Sequence, residues 1–330
     1  MKIALISLTK SGKTLAMHIS SALKEDHTVI RVDTFHKNVK HTLENIIHNY
    51  DCIVGIMATG IMIRNVCQLI KGKNDDPAIL IIDEKGKHVI SLLSGHLGGG
   101  NDLSIKIADI IDAEPIITTA TDVNDKFGVD CLARKYYMNI DDVSKIKHIN
   151  SALLNNEHVK ITFNSKYEFI WEDVKVKNCY DKIINQSGLL EVSYGSVTLN
   201  LEPKKIVVGI GSRKNIDSYS VVNAIKSAMN ILDLPIKRIN SIATGYMKEN
   251  EKGIINAAEE FGIPLEIISD VLMKNFKNND LSRSDFVMEK FGVPGVCEQS
   301  SLIAAGDGST LILRKTSYNG VTVAVAVSKN

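Results

Sequence analysis

From Lys2 to about Asp130 the chain switches back and forth between two periodicities, and this alternation limits its fold more than any other feature. Apolar runs of strand length (KIALISL, HTVIRVD, DCIVGIMA, AILIIDE, HVISLLS and PIITTA) are separated by stretches with helical spacing, such as SGKTLAMHISSALKE and NDLSIKIADII. A run that is apolar throughout, like DCIVGIMA, suits a strand covered on both faces. Strands that alternate with helices can cross over and lie parallel, which gives a layered α/β sheet. AILIIDE and HVISLLS are joined only by EKGK, too short for a crossover, so one antiparallel hairpin is expected within a mainly parallel sheet.

The pattern weakens after Ala133, where Asn, Lys and Asp dominate and the apolar runs HVKITF and YEFIW are short. It resumes at KKIVVGIGSRKN and closes with TLILRK and VTVAVAV across the turn SYNG, a second hairpin. The expected fold class is therefore α/β. Two α/β domains with mixed, mainly parallel sheets, at 1–132 and 203–330, are joined by a small middle domain at 133–202.

Charge narrows the function. Thirty-nine basic residues balance thirty-eight acidic ones, so there is no basic excess to suggest nucleic acid or a membrane surface. Five scattered cysteines without a CxxC fit reduced thiols better than disulfides or a zinc site. No apolar stretch reaches the roughly 18 residues a membrane span needs, and no signal-peptide pattern opens the chain. The sequence reads as a cytoplasmic protein.

Two phosphate-loop look-alikes fail on inspection. LTKSGKT lacks the first glycine of a Walker A loop, since Ser7 stands there, and GIGSRKN lacks the third glycine of a dinucleotide fingerprint. SGHLGGGND, from Ser94 to Asp102, is more informative. A strand ends at Ser94, a helix begins near Asn101, and Gly98, Gly99 and Gly100 would bare the N–H groups of a helix start to an oxyanion. His96 would point into the same crevice, as a catalytic base or as an ordinary histidine beside a capped turn. ATGIMIR repeats the design: Thr59 and Gly60 at a strand end, with Arg64 one turn on as an anion partner. Lys73 lies in the charged loop KGKNDDP, and ITTATD ends a strand with Thr119 and Asp122. In the second unit Gly211 and Arg213 could cradle an anion, Lys248 and Glu251 follow the strand SIAT, and Glu298 sits in GVCEQSS. Either glutamate could serve as a base.

Taken together, MATGIMIR, KNDDP, SLLSGHLGGGND, ITTATD, VGIGSRK, KENE and VCEQSSL resemble the cobalt-precorrin-5A hydrolases of anaerobic cobalamin biosynthesis, and they cover nearly the whole chain. Ser212 stands where that family usually has cysteine. The resemblance implies a cobalt-containing tetrapyrrole substrate with carboxylate arms and a ring A δ-lactone. It implies lactone hydrolysis, release of acetaldehyde and formation of cobalt-precorrin-5B for the next methyltransferase. Cobalt would arrive in the substrate, so no cofactor or metal bound by the protein is expected. His96 would be the base, with Glu298 and Glu251 in reserve. Ser94, Asn101 and the residues of the glycine, threonine and basic motifs would bind substrate in a cleft between the two α/β domains. A non-catalytic tetrapyrrole carrier is the alternative; it would need the anion seats but not His96.

Overall fold

The apolar runs of the first region fold as expected into one sheet. A computed structural model describes residues 1–72 and 75–329, so Lys73 lies outside the described residues. The chain divides into two units, Met1–Asp26 with Arg31–Glu202, and His27–Ile30 with Pro203–Asn330. In the first unit the order is β1 (Lys2–Ser7), α1 (Lys10–Glu25), β2 (Arg31–His36), α2 (Val39–Ile46), β3 (Cys52–Ile56), α3 (Thr59–Val66), β4 (Ala78–Ile82), β5 (His88–Leu93), α4 (Gly100–Ile111), β6 (Glu114–Ile116), α5 (Ala120–Val123) and α6 (Val129–Lys135). The six strands form one sheet in the order β2-β1-β3-β4-β5-β6. β3 and β4 are buried along their whole length, as their continuous apolar sequence requires. α1 begins where Thr9 accepts a hydrogen bond from the Gly12 N–H, the ordinary cap of a helix after a polar turn. It packs through Ala16, Ile19 and Leu23, spaced to fall on one face.

Strand direction decides where the motif loops emerge. β1 pairs in parallel with β2 and β3, and β3 with β4. β5 runs antiparallel to β4, with Leu93 opposite Ile79 and Val89 opposite Ile82, and β6 follows β5 in parallel. The loops after β5 and β6 therefore leave at the edge where β3 and β4 begin. The loop after β3, with Thr59 and Gly60, leaves at the other edge.

One element starts later than its sequence suggests. HTVIRVD enters the sheet only at Arg31, because His27–Ile30 belongs to the second unit. There the His27 carbonyl accepts from the Arg314 N–H, and Ile30 packs on the core around Leu302 and Leu311.

The rest of the first unit adds β7 (Met138–Ile140), α7 (Ile146–Leu154), β8 (Lys160–Phe163), α8 (Val174–Cys179), β9 (Asp181–Ile184), β10 (Glu191–Tyr194) and β11 (Val197–Pro203). They form a five-stranded sheet in the order β7-β11-β10-β8-β9. The run YEFIW folds as a 3-10 helix within Ser165–Glu172, burying Phe169 and Ile170.

The second unit holds β12 (Ile206–Ser212), α9 (Ser218–Ile231), β13 (Ser241–Gly245), α10 (Lys252–Phe261), β14 (Leu265–Ile268), α11 (Asp270–Asn275), α12 (Asp285–Phe291), α13 (Cys297–Ala305), β15 (Thr310–Tyr318) and β16 (Val321–Val327). Its sheet runs β14-β13-β12-β16-β15, with β12, β13 and β14 parallel and the final hairpin antiparallel. Among the described residues no helix is long and apolar enough to cross a membrane.

Candidate functional site

SGHLGGGND turns back on itself so tightly that its glycines serve the turn. Ser94 adopts a left-handed φ of 53°, and a Cβ on Gly98 would stand 2.7 Å from both the Ser94 Cβ and its carbonyl oxygen. The N–H groups expected to face a ligand are largely spent. Gly99 N–H donates to the His96 carbonyl, Gly100 to Ser94 and Asn101 to Gly95. An oxyanion seat built from the Gly99 and Gly100 N–H groups is thus corrected, because closing the turn consumes them.

The turn presents His96. Its Nδ1 lies 2.9 Å from Asp130 Oδ2 and its Nε2 2.5 Å from Asp122 Oδ2, with Thr121 Oγ1 3.3 Å from Nε2. The imidazole is nearly covered, with 9% of its side chain exposed, while the Asp122 side chain remains 34% exposed. Asn101 sits 4% exposed on the first turn of α4. Its Nδ2 donates to Thr119 Oγ1 and to Asp122 Oδ2, both at 3.1 Å. Asp130 opens α6 and accepts from Asn150 Nδ2 of α7 at 2.9 Å; Asn150 Oδ1 in turn receives the Val129 N–H. Two sequence motifs, SGHLGGGND and TTATD, therefore meet at one sheet edge because β5 and β6 are parallel.

Electrostatics favours the charged form of His96. Burial pushes the His96 imidazole down, but hydrogen bonds to Asp122 and Asp130 outweigh it and carry it up to about 12. Burial pushes Asp130 up, yet its bonds to His96 and Asn150 hold it below the usual carboxylate range. A raised pKa favours the charged ring over the plain base expected of His96: as an imidazolium it can donate a proton or stabilise an oxyanion. Asp122, at the exposed end, is the group placed to accept one. Cys131 adjoins the ring, but burial pushes its thiol up, so it is not a nucleophilic thiolate. The donor atoms of His96, Asp130 and Cys131 lie within 4.8 Å of one another, the one such group among the described residues. They would be the ligands for a metal, at the cost of the His96–Asp130 hydrogen bond.

The remaining expected residues are elsewhere. Ser94 Oγ donates to the Asp76 carbonyl, which ties the glycine loop to the KNDDP segment. Thr59, Gly60 and Arg64 lie at the opposite edge of the sheet from His96. α3 ends at Val66, so Arg64 is in its last turn, where a cation suits the dipole instead of opposing it. Its guanidinium folds back over Gly60.

In the second unit Gly209 and Gly211 belong to β12 and not to a loop. A Cβ on Gly209 would stand 1.9 Å from the Cys297 carbonyl, and one on Gly211 would stand 2.6 Å from Thr322 Oγ1. Gly209 lets α13 pack against the strand, and Gly211 leaves room for Thr322 of β16, which replaces the anion-cradle reading of Gly211. Arg213 is exposed, its side chain lying over Gly320 in the final turn. Glu298 is 3% exposed and accepts from the Ser282 N–H and Oγ at 2.7 Å and from the Lys315 N–H at 2.8 Å. Glu251 accepts from the Ile216 N–H and pairs with Lys248 at 3.3 Å. Both glutamates join segments of their own unit, so the structure gives neither the freedom of a base.

Asp130, Asn150 and Arg134 are the site residues that sequence reasoning missed. The only signal was DCLARK itself, which places Asp130 and Arg134 one helical turn apart.

An α/β sheet whose glycine turn holds a histidine between two carboxylates has the groups that acid–base chemistry uses. Three sequence models place it in a family: Cobalamin synthesis G N-terminal matches residues 41–122, Cobalamin biosynthesis central region 127–182, and Cobalamin synthesis G C-terminus 206–326. The chain belongs to this cobalamin synthesis G family. It is 36% identical to the "Probable cobalt-precorrin-5A hydrolase" of Methanocaldococcus jannaschii, over 99% of each chain. It is 28% identical to the cobalt-precorrin-5A hydrolase of Salmonella typhimurium, covering 99% of this chain and 97% of that one. The crystal structure of a cobalamin biosynthesis protein G homolog from Sulfolobus solfataricus matches with a TM-score of 0.64 at 29% identity, covering 99% and 97% of the two chains.

Proposed function

We propose that this protein is a cobalt-precorrin-5A hydrolase working in the cytoplasm, opening the ring A δ-lactone of its cobalt tetrapyrrole and releasing acetaldehyde. The observation that carries the reading is the Asp122–His96–Asp130 clamp, assembled from two motifs and the start of α6 in a family whose curated relatives carry that name. Lactone opening needs a group to accept the proton of water and a cation or donor for the tetrahedral oxyanion. Asp122 supplies the first and the His96 imidazolium the second. Water adds to the lactone carbonyl as its proton passes to Asp122. Collapse of the tetrahedral intermediate breaks the ring C–O bond, and His96 protonates the departing alkoxide.

The freed secondary alcohol then loses its O–H proton to the same carboxylate–imidazole pair. Its oxygen becomes the carbonyl of acetaldehyde, the carbon–carbon bond breaks, and the electron pair passes into the macrocycle, which takes up a proton later. Net, one water enters, acetaldehyde leaves, and the macrocycle keeps the freed ring A carboxylate. Cobalt belongs to the substrate, and the protein's own contribution is acid–base chemistry and binding. The product, cobalt-precorrin-5B, goes to the next methyltransferase.

Incubation of purified protein with cobalt-precorrin-5A, with hydrazine trapping of acetaldehyde and mass analysis of the corrinoid, tests this directly. The reading requires one acetaldehyde per product. Bound but unchanged tetrapyrrole would leave a carrier instead.

A further inference from the structure

We infer that Arg134 is a receptor for one carboxylate arm of the substrate, held over the His96 loop because position 99 has no side chain. The inference rests on the proposed polycarboxylate substrate. Gly99 has a left-handed φ of 79°, and a Cβ there would lie 2.0 Å from both terminal nitrogens of Arg134. The guanidinium thus fills the space a side chain would take, lying directly on the Gly99 backbone. α6 puts it there: Asp130 at the start of the helix grips His96, and Arg134, one turn later, reaches the glycine next to the α4 start.

A purely structural ion pair accounts poorly for this placement. The ion pair recorded for Arg134 is with Asp102 at 3.4 Å, and the Asp102 side chain is 78% exposed. Such exposed pairs are weak. A cation at the N-terminus of α4, a helix of 12 residues, also opposes the positive end of its dipole. The Arg134 side chain is itself 28% exposed, so part of it reaches solvent. The nearby carboxylates Asp122 and Asp130 are already matched by His96, Asn101 and Asn150. A planar, partly exposed guanidinium next to the His96 clamp suits bidentate contact with a carboxylate.

The test compares wild type, Arg134→Gln and Arg134→Lys on cobalt-precorrin-5A. In parallel, binding of cobyrinic acid and of its full methyl ester is measured by absorbance titration. Arg134→Gln should raise KM about ten- to a hundredfold, the range for a lost charge-assisted contact, with a smaller fall in kcat. It should weaken cobyrinic acid binding by a similar factor and leave ester binding unchanged. Arg134→Lys should lie between the two, and it keeps the comparison open if Arg134→Gln unfolds on melting. Equal loss for acid and ester, or an unchanged KM, would overturn the inference. Failure of wild type to release acetaldehyde would instead sink the proposed function, while the acid-against-ester comparison still decides the role of Arg134.

Discussion

His96 Nδ1 lies 2.9 Å from Asp130 Oδ2, a contact that spans 34 positions and joins the glycine loop of the first sheet to the helix leading into the second. This bond sets the ring orientation, and with Asp122 on the other nitrogen it favours the imidazolium. Asp130→Asn should lower kcat by about 10²- to 10⁴-fold with little change in KM. Activity that needs the imidazolium is lost as pH rises through the His96 pKa. Losing the Asp130 charge lowers that pKa, so the alkaline limb of the kcat profile should move to lower pH. Asp130→Glu should recover part of both effects; a variant with unchanged profile and rate would show that Asp130 only packs.

The clamp also predicts the pH dependence of stability. The folded His96 is raised from 6.5 to about 12, so its contribution is full below the unfolded value and fades only as pH rises toward 12. Asp130 is lowered, so its share is present above the ordinary 3.8 and is lost as pH falls through its folded pKa. His96→Gln leaves two carboxylates facing each other without a cation. Thermal unfolding should show its largest deficit against wild type between about pH 5 and 6.5, declining at higher pH and shrinking below pH 4. A deficit independent of pH would point to lost packing alone.

Gly99→Val should fail for two reasons that the geometry separates. The left-handed φ penalises a β-branched residue, and the side chain would displace Arg134. The expected cost is about 1–3 kcal/mol of stability from the backbone, with a rise in KM beyond what partial unfolding explains. Denaturant melts paired with kinetics on the folded fraction check both. Normal KM in the folded fraction would mean that position 99 does not serve binding.

Arg64→Ala probes the opposite sheet edge. Arg64 is exposed, belongs to the last turn of α3, and stands at least the length of β4 from the His96 edge, about 15 Å for a five-residue strand. Its loss should raise KM with kcat within about twofold, as expected where uniform binding is removed. A kcat defect at constant KM would place Arg64 in the chemistry and contradict the separation.

Much of the fold was legible because the two periodicities are strong where the core is deepest. β3, β4 and α1 follow directly from CIVGI, AILII and the helical spacing of Ala16, Ile19 and Leu23. The hairpin of β4 and β5 was legible too, but its consequence was not: reversing β5 carries His96 to the edge away from Arg64. The two glycines in GIGS look the same in sequence whether they cradle an anion or admit a neighbouring element, and only the Cys297 carbonyl against Gly209 and Thr322 Oγ1 against Gly211 decide. Asp130 and Arg134 lie in GVDCLARK, at the seam where a domain boundary was expected and no motif stands out. Their role depends on contacts more than 30 positions away, which no local pattern encodes.

The central claim is that the clamped His96 carries out the lactone chemistry, and single-turnover release of acetaldehyde from cobalt-precorrin-5A by wild type and His96→Ala tests it most directly. Tetrapyrrole binding is followed by absorbance in the same samples. The account predicts that His96→Ala stays folded, binds the tetrapyrrole, and releases acetaldehyde about 10²- to 10⁴-fold more slowly. Release by bound His96→Ala at near the wild-type rate would contradict it, reducing the glycine turn to a scaffold that happens to hold a histidine.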